Sequence, residues 1–203
     1  QDHSDTKYIS LNFFTDYTKT LGKHYIKGML GYNYEQRTYS VLSAKNTDIL
    51  TEDVENINLA LGSDNKTIGG KYNKWRAVGI FTRLNYSYDA RYLFQFNGRY
   101  DGSSKFPSNE RWAFFPSASA AWAISEEEFF APVKSVVDNM KLRFSAGSLG
   151  NQQVSNYAWI ETITGNKTNG YTFDYVEEGK YSSISAPISD GLTWETVTTY
   201  DLG

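Results

Sequence analysis

The sequence predicts an all-β protein: part of a large antiparallel transmembrane β-barrel of about seven membrane strands. Three observations carry that expectation. Apolar and polar residues alternate with a period of two over long stretches, as they do when a pleated strand faces two different environments. Aromatic residues are abundant, with 16 Tyr, 12 Phe and 5 Trp against only 4 Pro, and aromatic side chains suit a pleated, half-buried surface. Short and long connections follow each other in turn, the layout of an outer-membrane barrel with short periplasmic turns and long extracellular loops.

The strands read as follows. In the first, Ile9, Leu11, Phe13, Thr15 and Tyr17 alternate with Ser10, Asn12, Phe14, Asp16 and Thr18. A tight turn at 21–24, with Gly22, returns the chain to Ile26, Gly28, Leu30, Tyr32 and Tyr34, which alternate with Lys27, Asn33, Glu35 and Arg37. A second hairpin sets Val78, Ile80, Leu84, Tyr86 and Tyr88 against Arg83, Asn85 and Ser87. It turns at 89–91, then sets Tyr92, Phe94, Phe96 and Tyr100 against Gln95, Asn97, Arg99 and Asp101. A third pair runs through Phe114, Ala118, Ala120, Trp122 and Ile124, then Met140, Leu142, Phe144 and Ala146. Between these two, Ser125 with Glu128 three residues on fits a capping box, so a short helix is expected in 125–138. A seventh strand begins near Thr193. The long connections are 38–74, 102–111 and 149–192, rich in Asn, Ser, Thr, Gly and Lys.

Composition excludes several functions. The net charge is −3, so no basic face points to nucleic acid. Cysteine is absent, which removes disulfides, thiol catalysis and cysteine-ligated metals. No run approaches 18 apolar residues, so no transmembrane helix is expected. His3 and His24 are the two histidines, and neither has a sequence partner for catalysis or metal binding. No cofactor is indicated. Gly147-Ser-Leu-Gly150 lacks the spacing of a nucleophile elbow.

A membrane setting follows from where the aromatics and charges fall. Tyr17, Tyr32, Tyr34, Tyr86, Tyr88, Tyr92, Tyr100 and Trp122 share the apolar face near the expected strand ends, where a ring can lie at the headgroup boundary with its polar atom wet. Arg83, Arg99, Lys141 and Arg143 lie mid-strand on the other face, tolerable toward a watery lumen and costly toward lipid. The residues alone leave a soluble, carbohydrate-binding β-sandwich open, with these charges simply facing solvent.

Four ordered blocks resemble one family. Arg83-Leu-Asn-Tyr-Ser-Tyr-Asp-Ala-Arg-Tyr92 running on to Asn97-Gly-Arg-Tyr-Asp-Gly-Ser-Ser104, Arg111-Trp-Ala-Phe-Phe-Pro-Ser117 leading to Ala121-Trp-Ala-Ile-Ser-Glu-Glu127, Leu142-Arg-Phe-Ser-Ala-Gly-Ser-Leu-Gly-Asn151, and Leu192-Thr-Trp-Glu195 are similar to the barrel pattern of SusC/RagA-type TonB-dependent transporters. The resemblance is dense over 75–151, brief over 192–203, and limited to layout over 1–74. It implies a barrel of about 22 strands with a plugged lumen, of which residues 1–203 are a part lacking the plug domain and the barrel ends. It implies active import of glycans or oligopeptides across the outer membrane of a Gram-negative bacterium, not an enzymatic activity. The implied partners are a SusD-like surface lipoprotein, outer-membrane lipid, and the TonB complex acting through a missing N-terminal region. A passive porin-like channel is the alternative within the barrel class.

Two residue sets are candidates for contact with cargo or protein. Arg83, Asn85, Gln95, Asn97, Arg99, Asp101, Lys141 and Arg143 would face the lumen, toward a plug or substrate path, or would solvate the wall and neutralise one another across strands. Tyr157, Trp159, Tyr171, Phe173, Tyr175 and Tyr181 in the last long connection would stack on sugar rings, contact the lipoprotein, or pack within the loop.

Overall fold

The computed structural model describes residues 2–46, 67–173, 177–185 and 191–203, with 164–173 and 177–181 described by backbone alone. Nine strands form: β1 (Asp2–Leu21), β2 (His24–Lys45), β3 (Thr67–Tyr88), β4 (Tyr92–Ser103), β5 (Trp112–Ala123), β6 (Lys141–Asn151), β7 (Ile163–Phe173), β8 (Glu177–Ile184) and β9 (Glu195–Leu202). Seven of them make one antiparallel meander in the order β1-β2-β3-β4-β5-β6-β9, and β7 pairs with β8 in a separate two-stranded sheet. The sheet is open, as a stretch of barrel wall. Among the described residues no helix is long and apolar enough to cross a membrane.

The register puts the alternating residues where the pattern predicts. Phe13 pairs with Tyr32, Tyr32 with Ile80, Ile80 with Tyr100 and Tyr100 with Phe114, so one face is continuous across five strands. A second aromatic row lies at the turn end, where Tyr88 pairs with Tyr92 and Tyr92 with Trp122. Between the rows the same face carries Leu30, Leu84, Phe96, Ala118, Ala120, Phe144 and Ala146. Tyr92 and Tyr100 are eight residues apart on β4. At about 3.3 Å per residue that is roughly 26 Å along the strand, or about 20 Å of height at the usual barrel tilt. Trp112, stacked on Tyr100 at 5.2 Å, widens the band to about 25 Å, the height of an outer-membrane apolar belt.

Two expectations about the connections are corrected. The 38–74 connection is not a loop throughout: β2 and β3 stay paired up to Lys45↔Thr67. These strands are 22 residues long, about twice what a tilted strand needs to cross a bilayer. Just above the upper aromatic row their outer face turns polar, with Arg76 Nε donating to Gln36 Oε1 at 3.0 Å, before exposed Tyr72, Leu42 and Ile68 follow further along. The 149–192 connection likewise contains the β7–β8 hairpin.

The short connections are tight. Gly22 adopts φ +58°, the left-handed backbone that a two-residue hairpin turn requires. Asp89 and Ala90 adopt φ 52° and 55° without being glycine, a strained pair held by its surroundings. The short helix expected in 125–138 occurs as two 3₁₀ helices, Ile124–Glu126 and Glu128–Val133, but the expected side-chain cap does not form. Ser125 is buried with its backbone N–H on the Met140 carbonyl, and Pro132 within the second turn limits its continuation.

Candidate functional site: the polar face and its loop end

The polar face is a lattice of cross-strand hydrogen bonds. Each partner is delivered by strand register. Arg83 lies opposite Asn97, and Asn97 opposite Ser117. Arg83 Nε donates to Asn97 Oδ1 at 2.7 Å, Asn97 Nδ2 donates to Ser117 Oγ at 3.1 Å, and Gln95 Nε2 reaches Asn97 Oδ1 at 3.3 Å. Arg99 Nε bonds Asp101 Oδ2 at 2.6 Å. Arg143 Nη2 bonds Asp201 Oδ2 at 2.7 Å. Thus the eight predicted polar residues share one face, but not one cluster. Arg83, Gln95 and Asn97 are joined, Arg99 and Asp101 form a second unit, and Arg143 pairs away on β9. Asn85 lies opposite Gln95, and Lys141 opposite Ala123 at the turn end.

The sequence reading missed several members of this lattice. Asn33 is buried and donates to Asn12 Oδ1 at 2.6 Å, and Asn151 donates to Glu195 Oε2 at 2.9 Å. Asn12 and Asn33 were visible in the alternation, but only register makes them partners.

The upper half of this face is concave. A cavity of about 400 Å³ is lined by Arg83, Asn97, Arg99, Phe81, Phe115 and Ser117 among others. Phe81 lies flat over Gly31, its cross-strand partner, in space that a Cβ would occupy. Beside it a second cavity of about 190 Å³ is lined by Asn33, Glu35, Arg99, Asp101, Gln152 and Trp194. Asp101 Oδ1 and Gln152 Oε1 are buried without a hydrogen-bond partner among the described residues. A buried acceptor left so is costly, so this is where a donor from another segment would be gained most.

Loop residues roof this region. Phe106, Phe115 and Trp194 are 0%, 7% and 8% exposed and form the core cluster of the described residues, with Ala113, Val154 and Leu192 against it. Trp194 meets the Phe106 and Phe115 rings at 5.0 and 5.4 Å, and its Nε1 donates to the Arg111 carbonyl at 3.0 Å. The 102–111 loop therefore folds back onto the polar face. Ser104 clips it down, its Oγ accepting from Arg76 N at 2.8 Å and its N–H donating to Arg76 O at 2.9 Å. Lys105 Nζ lies 5.4 Å from the Trp75 ring, and burial lowers its pKa.

The predicted aromatic set divides. Tyr157 hooks the 152–162 segment to β3, its hydroxyl accepting from Lys74 N and donating to Lys74 O, both at 3.2 Å. Trp159 is half-buried with Nε1 unpartnered among the described residues. Tyr171, Phe173 and Tyr181 fall on the β7 and β8 backbone, with side chains outside the described ones, and Tyr175 lies outside the described residues altogether.

The turn end carries a different construction. Lys23 Nζ bonds Asp89 Oδ2 at 2.7 Å, Arg91 Nε lies 3.5 Å from the same oxygen, and Arg91 Nη1 lies 3.2 Å from Glu127 Oε2. Glu127 Oε1 also accepts from Tyr92 Oη at 2.8 Å and Trp122 Nε1 at 3.0 Å. Three successive turns are therefore linked by one chain of charges. The Lys23 bond holds the Asp89 carboxyl below the usual aspartate range, and Trp122, Tyr92 and Arg91 do the same for Glu127. His24 has partners after all: its Nδ1 is 2.9 Å from Tyr86 Oη and its ring 5.0 Å from that of Tyr88. No group of three or more potential metal ligands occurs among the described residues.

Comparison with known proteins agrees with this architecture. A family model described as "TonB dependent receptor-like, beta-barrel" matches residues 1–203. The chain is 31% identical over 198 residues to TonB-dependent receptor P3 of Formosa agariphila, covering 98% of this chain and 19% of that protein. It is 32% identical over 209 residues to TonB-dependent receptor SusC of Bacteroides thetaiotaomicron, covering 100% of this chain and 20% of that protein. The chain thus spans about a fifth of the length of these relatives. Among solved structures, the RagAB peptide importer in its "closed-closed" state matches with a TM-score of 0.78 at 22% identity, over 99% of this chain and 22% of that one. The "open-open" state matches at 0.76 and 21%, over 100% of this chain and 22% of that one. The likeness to these structures concerns the fold.

Proposed function

The chain belongs to the family of TonB-dependent receptor β-barrels, and from that membership we propose that it builds part of the wall of a plugged, energy-driven importer in a Gram-negative outer membrane. One observation supports this reading most: an apolar band framed by two aromatic rows backs onto a hydrogen-bonded polar face. Lipid on one side and a wet, partly filled lumen on the other account for both. The turn end is then periplasmic and the loop end extracellular, with the β2–β3 ribbon rising outside the cell.

In this reading the plug and the segment that the inner-membrane motor pulls lie in other portions of a longer polypeptide. The unpartnered Asp101 Oδ1 and Gln152 Oε1 receive donors from the plug or from cargo. Arg83, Asn85, Gln95, Asn97 and Arg99 line the path beside them, and Lys141 and Arg143 face its periplasmic end. Glycans or oligopeptides are the cargo, and a SusD-like lipoprotein covers the extracellular mouth.

The test is uptake. Cells producing the full-length protein are given labelled oligosaccharide or oligopeptide mixtures, with and without a functional motor complex. Uptake that disappears with the motor is the expected result. Uptake that continues unchanged without it makes the barrel a passive channel and ends the importer reading.

A further inference from the structure

The β2–β3 ribbon above the membrane band holds a pocket that the wall function does not use. It has a volume of about 210 Å³ and is lined by Arg37, Tyr39, Lys71, Asn73, Trp75 and Asn156. Register explains its composition. Arg37 pairs with Trp75 and Tyr39 with Asn73, so the odd-numbered residues of both strands emerge on the face that bears the lumen lattice lower down. Asn156 closes the pocket from the 152–162 segment and bonds Asn73 directly. Tyr157 holds that segment in place by its bonds to Lys74.

The chemistry is selective. Two cations, Arg37 and Lys71, are exposed and form no ion pair among the described residues. Two aromatic side chains, Tyr39 and Trp75, are half-buried and supply flat apolar surface. Two carboxamides supply donors and acceptors in fixed positions. Lys105, outside the pocket lining, lies against the Trp75 ring with its Nζ donating to the Gln152 carbonyl. A ligand that satisfies all of these has an apolar face, several hydroxyls and a negative group, in a volume near that of one hexose ring. A peptide would need an acidic group and a flat side chain within the same short reach to use both the cations and the ring faces.

We propose that this pocket binds one ring of an acidic saccharide at the mouth of the barrel, with Arg37 and Lys71 on its carboxylate or sulfate and Trp75 under the ring. The proposal rests on the importer reading and specifies its cargo as anionic glycan. The guanidinium offers a forked contact to a planar or tetrahedral anion that Lys71 completes as a point charge.

The experiment uses the full-length protein in detergent, confirmed as folded by its gel migration before and after heating. Binding is measured for trigalacturonate and its methyl ester, and for a heparin-derived tetrasaccharide and its desulfated form. At least one acidic probe should bind tenfold or more tightly than its neutral counterpart, and raised salt should erase the preference. R37Q/K71Q should remove the preference, and W75A should weaken both members of the pair. Equal binding of acidic and neutral forms, or a preference that survives R37Q/K71Q, overturns the proposal. So does tighter binding of an acidic pentapeptide through the same residues. The 47–66 connection carries Asp48, Glu52, Asp53, Glu55 and Asp64. An acid preference that appears only once residues 50–62 are removed would assign the pocket to those carboxylates, and would overturn it as well. Motor-independent uptake would defeat the importer reading without touching these binding results, so the two failures are separable.

Discussion

The two ends of this wall are held by different forces. At the turn end, Lys23, Asp89, Arg91 and Glu127 tie three hairpin connections together through charges that solvent still reaches, Lys23 freely and Asp89, Arg91 and Glu127 in part. At the loop end, Phe106, Phe115 and Trp194 exclude water around a small aromatic core. Exposed ion pairs contribute little and fade with salt, whereas a buried aromatic contributes several kcal/mol. The turn end therefore owes its order to the shortness of its connections, with the charges setting the relative orientation of neighbouring turns. The loop end has long connections, and without its core nothing covalent would keep 102–111 over the lumen.

The largest expected effect is at the loop end. W194A removes the ring that joins Phe106 to Phe115 and should cost about 3–5 kcal/mol locally. Limited proteolysis should then cut within 104–111, while cleavage at 88–92 stays unchanged. If both ends become sensitive together, the two are one cooperative unit and the contrast fails. The next effect concerns the band between them. A118R puts a charge in the lipid-facing band and should destabilise the folded barrel by about 2–4 kcal/mol, whereas S119R, one residue on and facing the lumen, should cost under about 1 kcal/mol. Unfolding in urea with vesicle-inserted protein measures both, and equal costs would contradict the assignment of faces.

The smallest effect is the turn-end lock. Asp89 has its pKa depressed and Lys23 has its raised. The depressed aspartate stabilises above its unfolded pKa, and that contribution is lost as pH falls through the folded value. The raised lysine stabilises below its unfolded pKa, and its contribution is lost as pH rises through the folded value. The lock is thus complete between the ordinary aspartate and lysine ranges and opens on both sides. Amide exchange at Arg91, corrected for intrinsic rate, should be slowest across that window; K23M should lose the alkaline limb and keep only the part of the acid limb that the Arg91–Asp89 pair supplies. A pH-independent rate in the unaltered protein would mean that the backbone bonds alone hold the turn.

How much of this was legible in the sequence follows from the same physics. Within the membrane band, Leu11, Phe13, Tyr32, Ile80 and Tyr100 alternate with polar residues because the two faces meet different solvents. Above the band both faces of β2 and β3 meet water, so Ser40, Leu42, Gly70 and Tyr72 carry no two-residue contrast and the strands read as loop. The saccharide pocket was hidden for that reason, since Lys71 and Asn73 lay inside the expected 38–74 connection. The turn-end lock was hidden because Lys23 and Asp89 are 66 residues apart, and the capping-box signal at Ser125 was local and lost to Pro132 and burial. That the eight polar residues share one face was readable, whereas their grouping into separate units depended on register.

The long ribbon also has a mechanical consequence. From His24 to Lys45 the β2–β3 ladder runs without a bulge, and β1 is paired beside it from Asp2 to Leu21. Such a strip is stiff in its own plane and bends only out of it. Beyond the tie of Tyr157 to Lys74 its free part is about 23 Å long at the usual rise per residue. A push applied near Ser43 is therefore delivered as torque at the level of Thr38 and Lys74, onto the 152–162 segment that holds the ribbon there.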